Sequence, residues 1–205
     1  MASSLRAVLI DADGVLQHMT VEWRDEIGER AGSGGPHTER LLDAIARAEK
    51  PTMTGQVDLA HSLTQVLDAH DADVEVEEVL GAWQNIEVDP AMLDGVRALA
   101  GRGIILALTT NQSVPRARWM QANLPYGELF EAQFYSCEMG LAKPDPAYFH
   151  HVLDALGLQP EEALFMDDTE ANVQSAAQLG IRAELFARDG GRPELDRILA
   201  RHGLL

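Results

Sequence analysis

Short apolar runs alternate with helical patterns over most of this chain. Residues 7–10, 104–108 and 163–166 are continuous apolar runs, which is typical of strands buried on both faces of a parallel sheet. Residues 133–136 and 183–186 have weaker strand patterns. Because helical patterns separate these runs, the sequence predicts an α/β fold with a doubly wound, mainly parallel, Rossmann-like sheet.

Two of the predicted helices begin at an aspartate followed by a proline. Asp89 and Asp145 have this arrangement, and aspartate before the first turn with proline at the first helical position favours a helix start. Gly157 is expected to end the second of these helices. A further helix is predicted from about Glu170 to Leu179, with Gly180 directly after it.

The pattern changes between residues 17 and 88. This stretch contains no convincing strand, and its apolar residues recur at helical spacing in several stripes. Segments 32–36 and 51–55 are rich in glycine, proline or both and separate the stripes. Since the first strand precedes the stretch, we predict an α-helical cap domain of residues 17–88 inserted into a core domain of residues 1–16 and 89–205.

Composition and charge limit the classes of molecule that this protein is expected to bind. The chain has 205 residues, 46% of them hydrophobic, which is enough for a core domain with an insertion. Its formal net charge of −17 argues against nucleic acid or an anionic membrane as the main partner. Cys137 is the one cysteine, the first residues lack a signal-peptide pattern, and no apolar run could span a bilayer. We expect a cytoplasmic protein that is a monomer or a weak homodimer.

Polar side chains follow the predicted strands where their carboxyl ends should meet. In an open parallel sheet, ligands bind beyond these ends. Carboxylates crowded at one point repel each other unless a cation lies among them. An ammonium and a hydroxyl beside such a cation could bind a phosphate, so the sequence predicts Mg²⁺-dependent phosphoryl transfer. The candidate residues are Asp11, Asp13, Thr110, Asn111, Lys143, Asp167 and Asp168.

The carboxylates suit a magnesium site. Mg²⁺ prefers octahedral oxygen ligation and keeps several waters. Asp11 and Asp168 could each give one carboxylate oxygen, and Asp13 its main-chain carbonyl. Asp167 could hold a metal-bound water, although a purely structural carboxylate remains an alternative. Lys143 and the Thr110 hydroxyl would then stabilise charge on the phosphoryl oxygens.

The two aspartates after the first strand could have separate tasks. Asp11 would be the nucleophile, because a metal keeps it ionised and aligned, and Asp13 would exchange protons with the leaving oxygen and the hydrolytic water. Asn111 could position its loop and touch phosphate through the main chain. Thr109 competes with Thr110 for the hydroxyl role. Arg116 and Arg118 start the next helix, where either could touch a substrate phosphate or sugar, although a surface role is favoured.

Two longer segments resemble the haloacid dehalogenase-like hydrolases that carry a helical cap. They are residues 136–146, SCEMGLAKPDP, and residues 165–173, FMDDTEANV. The resemblance implies an aspartyl-phosphate intermediate on Asp11 and acid–base work by Asp13. It also implies phosphate contacts from Thr110 and Lys143, and Mg²⁺ bound with the participation of Asp167 and Asp168.

The second segment is similar to a subgroup of that family. Its Asp-Asp-x-x-x-Asn form resembles sugar-phosphate phosphatases and the N-terminal domains of epoxide hydrolases. True dehalogenases lack the residue at the position of Asp13, so its presence here disfavours dehalogenation.

We therefore predict a phosphatase acting on a small phosphorylated metabolite, with three alternatives. A phosphomutase would use the same phosphoaspartate, and release of free phosphate separates the two. A receiver-like signalling domain should carry its acidic pair before all other motifs, whereas an aspartate pair comes last here. A catalytically silent domain is disfavoured because every expected catalytic residue is present.

Overall fold

The computed structural model describes residues 5–32 and 34–205, and a five-stranded parallel sheet forms its centre. The strands in the described part of the chain are β1 (Ala7–Ile10), β2 (Gln17–Met19), β3 (Ile86–Val88), β4 (Ile105–Thr110), β5 (Ala132–Tyr135), β6 (Ala163–Asp167) and β7 (Arg182–Leu185). The central sheet has the order β5-β4-β1-β6-β7. Residues 1–4 and 33, which the domain prediction included, lie outside the described residues.

Helices follow most of the strands. They are α1 (Trp23–Arg30), α2 (Pro36–Glu49), α3 (Leu59–Ala69), α4 (Val76–Ala82), α5 (Pro90–Arg97), α6 (Val114–Asn123), α7 (Tyr126–Leu129), α8 (Ser136–Met139), α9 (Pro146–Leu156), α10 (Glu170–Gln178) and α11 (Gly191–Arg201). Turns of 3₁₀ helix lie at Lys50–Thr54 and Pro160–Glu162. None of the described helices is both long and apolar enough to cross a membrane.

The sheet is covered on both faces, as the continuous apolar runs predict. All four residues of β1 are fully buried. Val8 and Ile10 pack on one side with residues of α5, α6 and α11, whereas Ala7 and Leu9 pack on the other with residues of α9 and α10. The prediction of a doubly wound α/β sheet is confirmed.

Helix α9 shows how the sequence sets the frame around the site. The Asp145 carboxylate accepts a hydrogen bond from the Ala147 N–H, and Pro146 occupies the first turn. Gly157 ends the helix in the left-handed region with φ of 64°. Both ends of the helix are thus determined locally, and the loop that precedes it carries Lys143.

The segment between β2 and β3, here called the helical insertion (residues 20–85), has a hydrophobic cluster of its own. Residues from α1 to α4 form this cluster, which includes Ile27, Ile45, Leu63 and Trp83. The predicted helical stripes therefore pack together. The division into two domains at residues 16/17 and 88/89 stays a prediction.

The expectation that residues 17–88 contain no strand is wrong. β2 and β3 pair antiparallel at the two ends of this stretch, with Gln17 opposite Val88 and Met19 opposite Ile86. Each strand has three residues, which is too short for an alternating pattern to stand out. Their pairing joins positions about seventy residues apart in the chain, and local sequence does not report such a contact.

Candidate active site

The predicted site residues lie at the carboxyl edge of the central sheet. Asp11 directly follows β1, and Asp167 is the last residue of β6. β1 lies between β4 and β6, with Ile10 opposite both Leu108 and Met166. This register places the ends of three strands side by side, so Asp11 and Asp168 lie close together although they are 157 positions apart in the chain.

Lys143 connects the carboxylates. Its side chain is 1% exposed, and its Nζ lies 2.9 Å from Asp11 Oδ1 and 2.6 Å from Asp167 Oδ2. The same ammonium donates a hydrogen bond to the main-chain oxygen of Thr109 at 2.8 Å. Three oxygen acceptors from two strands and a strand-end loop thus surround one buried positive charge.

Asn111 holds the loop that carries Lys143. The Asn111 Nδ2 donates to the main-chain oxygen of Lys143 at 2.7 Å, and its Oδ1 accepts from the main-chain N–H at 2.9 Å. The side chain therefore links its own loop to the main chain of Lys143. Its contact with phosphate through the main chain stays a prediction.

Asp11, Asp167 and Asp168 form a carboxylate cluster. One oxygen of each lies within 4.8 Å of the others. Asp167 is fixed by Asn172, whose Nδ2 donates to both carboxylate oxygens at 3.0 Å. Convergent carboxylate oxygens are the ligands that Mg²⁺ prefers, so this cluster fits a divalent metal ion.

Gly14 and Arg188 lie against the third carboxylate. A Cβ atom on Gly14, which has φ of 76°, would overlap the side chain of Asp168. Only glycine leaves room for the carboxylate at this turn. The Nε of Arg188 pairs with Asp168 Oδ2, and Arg188 is a residue that the sequence interpretation did not include.

The charges in the cluster are unevenly balanced. Burial raises the pKa of Asp11, Lys143 opposes this shift, and the neighbouring Asp167 adds to it. Burial alone would lower the pKa of Lys143, but Asp11 and Asp167 raise it, so the ammonium stays charged. When Asp11 is ionised, three carboxylates face one buried ammonium and the exposed Arg188, and a divalent cation would offset this excess of negative charge.

Asp13 turns away from this cluster toward a second set of partners. Its carboxylate accepts hydrogen bonds from Arg116 Nη1 at 2.6 Å and Nη2 at 2.8 Å, so the guanidinium grips both oxygens. Gln17 and Gln112 donate at 2.9 and 2.7 Å. Burial works against the charge, but Arg116 and these hydrogen bonds together hold the pKa of Asp13 below its usual value. The predicted metal contact of its main-chain carbonyl stays a prediction.

The expected surface position of Arg116 is wrong. Its side chain is 12% exposed and lies between Asp13 and the end of the helical insertion. In addition to its bonds to Asp13, it donates from Nε to the main-chain oxygen of Trp83 at 3.0 Å and from Nη1 to Gln112 Oε1 at 2.8 Å. Nothing in the local pattern of α6 shows this, because Asp13 and Trp83 come from segments far from α6 in the chain.

Thr110 and two glutamines complete the polar network. The buried Thr110 hydroxyl accepts from Gln112 Nε2 at 2.9 Å, and Tyr126 donates to Gln17 Oε1 at 2.7 Å. The competing Thr109 hydroxyl is buried without a hydrogen-bond partner among the described residues. The sequence interpretation missed both glutamines, although Gln112 lies just beyond β4, where the rule for strand ends would have found it.

A cleft of about 850 Å³ opens between the sheet edge and the helical insertion. Asp13 and Arg116 line it from the sheet side, and Trp23, Glu49 and Trp83 line it from the insertion. The predicted acid–base residue therefore faces the space that a substrate would enter.

The fold and the site together define a doubly wound α/β enzyme with an acidic centre at the carboxyl edge of its sheet. The family model of the haloacid dehalogenase-like hydrolases matches residues 5–180. The chain therefore belongs to this family and is a hydrolase, as the resemblance of its motifs predicted.

Relatives support the same assignment. The chain is 29% identical to a phosphatase of Mycobacterium tuberculosis, over 91% of this chain and 89% of that protein. It is 26% identical to the bifunctional epoxide hydrolase 2 of the pig, over 91% of this chain. Three curated relatives, including this epoxide hydrolase of the pig, are much longer than the region they share with this chain. The matched region covers between 8% and 37% of their length.

A solved structure has the same fold. A haloacid dehalogenase-like family enzyme of Bacteroides thetaiotaomicron aligns with a TM-score of 0.75 and 25% identity, covering 89% of this chain and 94% of that one.

Proposed function

We propose that this hydrolase is a Mg²⁺-dependent phosphatase that cleaves a small phosphorylated metabolite through an aspartyl-phosphate on Asp11. The observation that carries the proposal is the junction of Asp11, Lys143 and the carboxylate cluster. A buried ammonium lies 2.9 Å from the candidate nucleophile, and two further carboxylates converge beside it. The phosphatase names of the Mycobacterium relative and of a Rhodospirillum rubrum phosphoglycolate phosphatase, 25% identical, support it.

The residues that would hold Mg²⁺ are Asp11, Asp167 and Asp168 through their carboxylates, and Asp13 through its main-chain carbonyl. A bound Mg²⁺ would supply positive charge to the phosphoryl oxygens and offset the repulsion between the carboxylates.

The chain's own residues would divide the reaction into two displacements. Asp11 attacks phosphorus and the bond to the substrate oxygen breaks. Asp13, which must first take up a proton from solvent, delivers that proton to the leaving oxygen. Water then attacks the phosphorus, the bond to Asp11 breaks, and Asp13 accepts the proton. Lys143 and Thr110 would hold the phosphoryl oxygens through both steps.

The helical insertion would act as the cap over this site. Its Trp83 and Glu49 line the cleft opposite Asp13, and a volume of about 850 Å³ suits a small metabolite. A closed cap would exclude water during the first displacement. The predicted cytoplasmic location and the monomeric or weakly dimeric state stay predictions.

The test is phosphate release from p-nitrophenyl phosphate and a panel of small phosphorylated metabolites, with Mg²⁺ and then with EDTA. We expect release that requires Mg²⁺ and that falls by ~10³-fold or more in Asp11→Asn, because the nucleophile is lost. Asp154→Asn is the matched control, since Asp154 is exposed on α9. Circular dichroism of both variants would verify the fold.

Two outcomes would contradict the proposal. Normal turnover in Asp11→Asn would exclude the aspartyl-phosphate. Mg²⁺ binding without release from any compound would exclude a phosphatase for this panel and favour the mutase or the silent domain, which a transfer assay with a sugar bisphosphate would separate.

A further inference from the structure

Arg116 is a largely buried arginine that the proposed reaction does not use. It lies in the first turn of α6, and its fork-shaped guanidinium binds both oxygens of Asp13. Bidentate binding of this kind fixes the plane of a carboxylate and not only its position. Gln17 and Gln112 each donate one further hydrogen bond to Asp13, which still faces the cleft.

The same guanidinium also contacts the helical insertion. Its Nε donates to the main-chain oxygen of Trp83, which follows the last residue of α4. A carbonyl at the end of a helix has no partner within the helix and carries part of the negative end of the helix dipole. The Arg116 side chain thus hydrogen-bonds both the C-terminal cap of α4 and the carboxylate of Asp13.

We propose that Arg116 is a positioning residue that orients Asp13 and makes this orientation depend on where the helical insertion lies. The inference rests on the proposed function, because it takes Asp13 as the acid–base group. With Trp83 in place, the guanidinium has a fixed plane and presents two donors to Asp13. When the insertion moves and removes the Trp83 carbonyl, the guanidinium loses that restraint, and proton exchange at Asp13 becomes misaligned.

The first experiment compares kinetics with p-nitrophenyl phosphate in Arg116→Gln, Arg116→Lys and the control Arg118→Gln. Arg118 lies on the same helix and is exposed. We expect Arg116→Gln to lower kcat by ~10- to 100-fold while KM changes by less than about threefold, because misplacement affects the chemical step. Arg116→Lys should recover part of the loss, and Arg118→Gln should match the wild type. Wild-type kcat in Arg116→Gln would overturn the proposal.

A double variant tests whether Arg116 acts through Asp13. In Asp13→Asn, the group that Arg116 positions no longer exchanges protons, so adding Arg116→Gln should lower kcat by less than about threefold further. If the two losses in kcat multiply instead, Arg116 acts independently of Asp13 and the proposal is wrong.

The link to the helical insertion is tested without any turnover. We expect hydrogen–deuterium exchange in peptides covering residues 76–88 to be faster in Arg116→Gln than in Arg118→Gln, by about threefold or more. Equal exchange in the two variants would overturn the link. A wild-type chain that releases no phosphate would contradict the proposed function alone, since the exchange comparison does not need activity.

Discussion

At the scale of the residue, the pKa of each ionisable group in the site depends on the charged groups beside it. Lys143 stays charged in a buried position because Asp11 and Asp167 lie within 3 Å of its Nζ. Arg116 lowers the pKa of Asp13 because it binds the carboxylate with two hydrogen bonds. A charge partly withdrawn from water without such a partner is costly, and one carboxyl that lines the cleft is a candidate.

That candidate is Glu49, the last residue of α2, where burial raises the pKa of the carboxyl to about 7 from an ordinary value of 4.5. Arg116 opposes this shift and Asp13 adds to it. Between these two pH values the unfolded chain has released a proton that the folded protein still holds. The contribution of Glu49 to stability therefore falls as pH rises from about 4.5 to about 7.

We expect Glu49→Gln to raise the free energy of unfolding above pH 7 by about 1–3 kcal/mol, because glutamine removes the cost of charging a partly buried carboxyl. The gain should shrink to near zero at pH 4, where glutamate is protonated in both states. Urea unfolding in EDTA at both pH values measures it. Glu29→Gln, at an exposed position of α1, is the control, and a gain at pH 4 as large as at pH 8 would contradict the expectation.

At the scale of the element, one glycine allows the helical insertion to approach helix α8 closely. Gly55 follows the 3₁₀ turn Lys50–Thr54 with φ of 69°, in the left-handed region. A Cβ atom at this position would overlap the main-chain oxygen of Cys137 in α8. The turn and α8 are therefore in backbone contact, which only glycine allows.

We expect Gly55→Ala to lower the free energy of unfolding by about 2–4 kcal/mol, from left-handed strain together with the overlap. Gly140→Ala is the matched control, because Gly140 follows α8 with φ of 71° and has no atom within 4 Å of the added Cβ. The control should lose only about 1–2 kcal/mol. Equal losses in denaturant unfolding would show that the contact with Cys137 is unimportant.

At the scale of the whole molecule, the hydrophobic residues form separate clusters. Two clusters cover the faces of the central sheet, and a third belongs to α1–α4. β2 and β3 bring the ends of the helical insertion together, since the Thr20 N–H donates to the Asn85 oxygen at 2.9 Å. The two ends of the helical insertion are therefore both connected to the antiparallel pair of strands β2 and β3.

We expect a chain in which Asn-Gly replaces residues 21–84 to fold, because two residues in a type I′ turn close an antiparallel ladder. Thr20 and Asn85 would then flank the turn in their present pairing. Urea unfolding followed by circular dichroism should give one cooperative transition, with a smaller m-value because less surface becomes exposed. The loss of a cooperative transition would show that the sheet needs the insertion, and would argue against the predicted division into two domains.

The sequence by itself determined the class of fold and the family. Continuous apolar runs predict buried parallel strands because side chains on both faces must be apolar, and strand ends in such a sheet meet at one edge. The same pattern predicts that Asp11, Lys143, Asp167 and Asp168 lie together, and the structure shows them in contact or within a few ångströms.

Only the tertiary structure decided the surroundings of Asp13 and the closure of the helical insertion. Arg116 was expected at the surface, and β2 and β3 were not expected at all. In both cases the interaction joins segments far apart in the chain, such as Arg116 with Asp13 and Trp83. Periodicity reports which face of a helix or strand is buried, but a side chain's partner across the molecule depends on how the elements pack.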